Sequence, residues 1–147
     1  MAQLASQHKA QIKSLEMTGL FLLLLTIPEI PQSKHLALGV NNKSVAHTWR
    51  NKSCNGHITA SVLARALLVV TSHLECRLYV EHVMRNSTTE SFLANCLTRD
   101  STAHKAWPHV EGAITKDPPE ILWDWLKNPE ADWQLGFKLV DNIKKKL

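Results

Sequence analysis

The sequence predicts an α/β fold in which two parallel strands lie among helices, and three observations carry that expectation. "HLALGV", His35 to Val40, is a short uncharged run of strand length. "CRLYVEHVM", Cys76 to Met84, alternates Leu78 and Val80 with polar residues, with a less regular Val83, which is the period of two of a pleated strand. Between these runs, Val62, Leu63, Ala66, Leu67, Val70 and Leu74 recur at helical spacing. A helical connection lets the two strands run parallel as a right-handed crossover.

The elements follow in order. From Ala2 to Ile27 the pattern is helical, with Leu4, Ile12 and Leu15 leading into an almost continuous apolar stretch. Pro28 and Pro31 end it, so its second half is expected to be buried. His35–Val40 carries no charge and is expected to be buried on both faces. Asn41 and Asn42 suit a strand-to-helix turn, where a short amide caps a helix running through Trp49. "NKSCNGH", Asn51 to His57, is a loop with Gly56 as its turn residue, and the long apolar helix starts at Ile58. After the second strand, Ser87 with Glu90 three residues on has capping-box spacing ahead of a short helix to about Arg99.

The remaining segment includes "KDPPEILWDWLKNPEADWQLGFKLVDNIKKKL", two helical pieces split by Pro129. Trp123, Trp125 and Trp133 either stack bases or pin this extension to the core, and pinning is the expectation. The terminal lysines suit the C-terminal end of a helix dipole.

Composition bounds the function. A chain of 147 residues suits one ordinary domain with a single core. Apolar and charged fractions of 44% and 20% are globular values, and a net charge of +4 leans towards an anionic partner. The cysteines Cys54, Cys76 and Cys96 are odd in number and lack CxxC spacing, so they read as reduced thiols of an intracellular protein, cytoplasmic or nuclear. "CNGH", with Cys54 and His57, lacks further ligands at zinc spacing. The apolar core of "TGLFLLLLTIPEIP" is about eight residues, against about 20 for a membrane span. Its competing reading is the apolar part of a signal peptide, after Lys9 and Lys13 and before Asn-x-Ser/Thr sequons at Asn42, Asn51 and Asn86, which would make the chain a small secreted glycoprotein. Glu16 beside the run, and no small-residue cleavage pattern after it, argue against secretion.

Taken together, "KSLEMTGLFLLLLTIPE", "GVNNKSVAHTW", "ITASVLARALLVVTSHLECRLYVEHVMRNST" and "FLANCLTRDST" resemble, in order and spacing, the C-terminal two thirds of a ribonuclease H domain of a retroelement polymerase. The resemblance covers Glu16 to Thr102 and extends loosely to "LWDWLKNPEADWQL". It implies a partial ribonuclease H-like fold over residues 1–102, with the family's first three strands missing, and a helical extension over 103–147. The family's activity is Mg-dependent cleavage of RNA/DNA hybrids. Two Mg²⁺ ions about 4 Å apart require several carboxylates converging on one pocket. Carried over residue by residue, this chain keeps Glu16, while Asn41 and Asn95 stand where the family has carboxylates, and the first-strand carboxylate has no counterpart. Losing those negative charges implies an inactive nuclease with no bound metal. Replacing Asn41 and Asn95 by aspartate is expected to restore metal affinity only if the pocket closes without the first strand, and its absence predicts that it does not.

The candidate residues have plainer alternatives. Glu16 is either a relic metal ligand or a solvated residue beside an apolar helix. Asn41 and Asn42 are turn and cap residues before they are ligands. Lys43, Arg50, Lys52, Arg85 and Arg99 either line a phosphate path or form a solvated face. The leading expectation is therefore an inactive ribonuclease H-like fragment with weak affinity for nucleic acid, RNA/DNA hybrid above all. The alternative is a non-catalytic interaction module whose open strand edge is completed by a partner chain.

Overall fold

The computed structural model describes residues 2–54, 57–84, 86–97, 100–113, 116–117, 119–127 and 132–145, with side chains from Lys13 onward except those of Asp100, Val110 and Leu126. The chain runs α1 (Ala2–Thr26), β1 (His35–Val40), α2 (Lys43–Asn51), α3 (Ile58–His73), β2 (Arg77–His82) and α4 (Thr89–Leu97), followed by short α5 (Asp100–Ala103) and α6 (Trp107–Val110), then α7 (Glu120–Lys127) and α8 (Leu135–Lys144). It is a mixed α/β architecture with a two-stranded parallel sheet. β1 and β2 pair in the register His35 with Arg77 through Val40 with His82. Arg77 N–H to Lys34 O at 3.0 Å and Val83 N–H to Val40 O at 2.8 Å extend the ladder at each end.

The α3 helix is the centre of the core. Its Leu63, Leu67 and Val70 are wholly buried, between the apolar face of α1 (Met17, Phe21, Leu24) and that of α8 (Leu135, Leu139, Ile143). Each such aliphatic side chain contributes about 1.5–3 kcal/mol by leaving water. The helices approach closely at Gly136, where an added Cβ would lie 2.8 Å from Val69 Cβ and 3.0 Å from Ala66 Cα. Leu122 and Trp125 of α7 join the same cluster.

Three expectations need correction. The first strand is not buried on both faces. Leu36, Leu38 and Val40 are half-buried against the core, whereas His35, Ala37 and Gly39 are exposed. No further strand pairs with the edge of β1 away from β2 among the described residues, so an uncharged composition did not mean two-sided burial. The cap of α4 lies one residue later than Ser87 and Glu90: Ser91 N–H donates to Thr88 Oγ1 at 3.1 Å, and Thr88 N–H donates to Ser91 Oγ at 3.0 Å. This is the same reciprocal arrangement, built with a serine in place of the glutamate. Finally, the C-terminal helices do not dock through all their tryptophans. Trp123 is 40% and Trp133 46% exposed, only Trp125 is buried, and the aliphatic face of α8 carries the contact. Helical spacing puts Leu135, Leu139 and Ile143 on one stripe, which competes successfully for α3. Gly56 and Pro129 lie outside the described residues.

No helix among the described residues is long and apolar enough to cross a membrane.

Candidate functional site

Where β1 ends, the chain turns through Asn41 and Asn42 into α2. Asn42 is extended, with φ −113° and ψ 110°, and its Oδ1 accepts from Ser44 N–H at 2.8 Å. This is the asparagine cap expected from the sequence, satisfying one of the amide donors a helix start leaves open. The same side chain reaches the other way: Asn42 Nδ2 donates to Glu16 Oε2 on α1.

A cleft of about 270 Å³ opens at this point. Its floor is the end of the sheet, Gly39, Val40 and Val83, with Val45 of α2 beside it. Gly39 matters to the floor, because an added Cβ would sit 3.2 Å from both methyl carbons of Val83. Its rim is polar: Glu16 from α1, Asn41 and Asn42 from the turn, and Ser91 and Asn95 from α4. Asn95 is half-buried and its Nδ2 donates to Asn86 Oδ1 at 3.4 Å. Glu16, Asn41 and Asn95, far apart in sequence, thus line one cavity.

The donor set does not suit a pair of divalent ions. One carboxylate and neutral amides stand where hard cations require several negative oxygens, and among the described residues no group of three or more His, Cys, Asp or Glu side chains converges. What the rim does offer is hydrogen-bond donors and acceptors around an apolar floor.

The basic residues separate into distinct groups. Lys43 and Arg50 are exposed on α2, with exposed His47 between them, at spacings of four and three that put all three on one face. Lys52 is engaged internally. It takes a left-handed φ of 58° at the end of α2, its Nζ lies 3.6 Å above the Trp49 ring, and it donates to Trp49 O at 2.5 Å. Burial pushes its pKa down. Trp49 is itself anchored, donating from Nε1 to Leu78 O of β2 at 3.1 Å. Arg85 and Arg99 lie outside the described residues.

Sequence reasoning missed Lys13, taken only as a charge flanking an apolar run. It is 7% exposed, and its Nζ donates to Ser44 Oγ at 2.6 Å and to Cys54 Sγ at 2.8 Å. The signal was present: Lys13, Met17, Leu20 and Leu24 follow helical spacing, which places the lysine on the buried stripe of α1.

Compared with known proteins, the chain matches no family model, no curated protein and no solved structure.

Proposed function

We propose that this chain is a non-cleaving ribonuclease H-like module that binds nucleic acid weakly within the cell, in the cytoplasm or nucleus. The observation that supports this reading is the convergence of Glu16, Asn41 and Asn95 on one cleft at the end of a parallel strand. Those are the positions to which the resemblance assigns carboxylates, and nothing in their sequence separation requires them to meet. With two of them amides, the site lacks the charge that holds Mg²⁺ and activates water. Binding falls to the exposed face of α2, where Lys43 and Arg50 flank His47. Two lysine or arginine contacts to phosphate supply modest, salt-sensitive affinity.

The test is fluorescence anisotropy with a labelled RNA/DNA hybrid, alongside a cleavage assay in Mg²⁺. The expected result is no cleavage and weak binding whose salt slope falls by about 2 in Lys43→Ala with Arg50→Ala, with little change in Lys52→Ala. Cleavage abolished by Glu16→Gln would overturn the inactive reading. Affinity indifferent to the α2 pair would overturn the binding reading.

A second reading rests on β1. Its edge away from β2 is unpaired among the described residues, and its inner face is only half-buried. Such an edge is a template for another strand, so the chain also fits an interaction module that a partner chain completes. Under this reading, purified protein self-associates or aggregates, and Ala37→Lys, at an exposed position of β1, suppresses it. A monodisperse, cooperatively melting monomer would exclude it.

A further inference from the structure

The Lys13 amine and the Cys54 thiol lie outside the proposed binding face of α2 and are held against one another. Lys13 is 7% exposed, and Ser44 Oγ accepts from its Nζ at 2.6 Å, which fixes the direction in which the amine points. The second contact of Nζ is Cys54 Sγ at 2.8 Å, a distance usual for an oxygen acceptor and close for the larger sulfur. Of the cysteines, Cys76 and Cys96 are buried, whereas Cys54 is partly accessible. Burial also pushes the Cys76 thiol pKa up, which keeps it in its unreactive form. An oxidant from solvent therefore meets Cys54 first, beside a primary amine already in place.

From this geometry we infer that Lys13 and Cys54 form a reversible sulfur–nitrogen cross-link under peroxide. In the first step the Cys54 sulfur attacks hydrogen peroxide. The O–O bond breaks, sulfur loses two electrons, and Cys54 becomes a sulfenic acid as one water is released. In the second step Lys13 Nζ, having given a proton to solvent, attacks Sγ. The S–O bond breaks, oxygen leaves as a second water, and an S–N bond remains, with no further oxidant consumed. Sulfenic acids condense with backbone nitrogen in this way, and here a side-chain amine occupies that position. Two equivalents of thiol return the amine and the free cysteine.

The link would clamp α1 to the segment between α2 and α3. Lys13 lies one turn before Glu16, so the bond would fix the part of α1 that borders the cleft. It does not depend on the proposed function, since its chemistry needs only the paired side chains.

The experiment treats the reduced full-length chain with hydrogen peroxide, digests it with trypsin without reductant, and reads peptide masses. The expected product joins the Lys13 and Cys54 peptides at about 2 Da below their summed mass, lacks cleavage after Lys13, and separates on adding dithiothreitol. It is absent from Cys54→Ser and Lys13→Arg, and from chain oxidised in urea. Sulfinic acid at Cys54, or a disulfide from Cys54, with normal cleavage after Lys13 would overturn the inference. So would equal cross-linking in urea, because the pairing would then owe nothing to the fold. The native wild-type measurement stands even if a variant fails to fold.

Discussion

Asn42 joins two elements that sequence leaves 26 residues apart: its Nδ2 donates to Glu16 Oε2 on α1 while its Oδ1 holds the first turn of α2. One amide uses its donor and its acceptor in opposite directions, which an ionised carboxylate at this position, an acceptor only, does not reproduce.

Substitution separates the two roles. Asn42→Ala removes both and is expected to lower stability by about 1–2 kcal/mol. Asn42→Asp keeps the cap but sets a second carboxylate against Glu16, at a cost of about 1 kcal/mol at neutral pH. That cost is a repulsion between exposed charges and is expected to shrink in about 1 M salt. Urea unfolding of the three proteins at low and at high salt checks this. An Asn42→Asp deficit unchanged by salt would show that the repulsion is absent.

Asn41→Asp with Asn95→Asp gives the cleft carboxylates from α1, the β1–α2 turn and α4. The sequence alone favoured no restored metal affinity; with Glu16, Asn41 and Asn95 lining one cleft, restored affinity becomes the expected outcome. The double variant should bind Mn²⁺ measurably by calorimetry, lose that binding on Glu16→Gln, and be less stable than wild type without metal, because like charges share one site. Calorimetry without heat of binding would mean that the rim is too open to chelate.

Gly136 sits where α8 meets α3. Alanine is the better helix former by about 1 kcal/mol. Its Cβ would lie 2.8 Å from Val69 Cβ and 3.0 Å from the Ala66 backbone, neither of which is the end of a flexible side chain. Gly136→Ala is therefore expected to destabilise the chain by about 1–3 kcal/mol net. A thermal melt at or above the wild-type value would show that the helices separate without strain.

Asp132 pairs with Lys138 at 2.6 Å and accepts from Gln134 N–H at 3.0 Å, ahead of α8. The Lys138 hydrogen bond above all, with the Gln134 amide in support and burial opposing, holds its carboxyl below the usual carboxylate range. The folded pKa thus lies below the unfolded one. The pair's contribution is complete above about pH 4 and is lost as pH falls through the depressed folded value. Solvent screening keeps it under about 1 kcal/mol. The stability gap between wild type and Asp132→Asn is expected to narrow from pH 7 to pH 3; a constant gap would refute the pairing.

Much of the fold was legible because it rests on local periodicity. Helical spacing from Ile58 to about Leu74 located α3, which runs Ile58–His73, and strand-length apolar runs located β1 and β2, because these patterns follow from 3.6 and 2 residues per repeat. The Asn42 cap was legible for the same reason, since its partner is two residues away. Burial of β1 was not legible. An uncharged strand can lie between two layers or beside one, and only the neighbours decide. Nor was the choice of Thr88 over Ser87 as cap, because adjacent hydroxyls are equivalent until the helix start is set.

The candidate site divides along the same line. Sequence by itself determined the chemistry available: one carboxylate at Glu16, amides at positions 41, 42 and 95, and cations along α2. Tertiary structure alone decided which of these meet. It brought Glu16 to Asn42, gathered Asn41 and Asn95 onto the same cleft, turned Lys52 back onto Trp49, and buried Lys13 against Cys54. The physical reason is range: caps and periodicity act within a turn or two of chain, whereas a cleft is made by packing α1, α2 and α4 around the end of one strand.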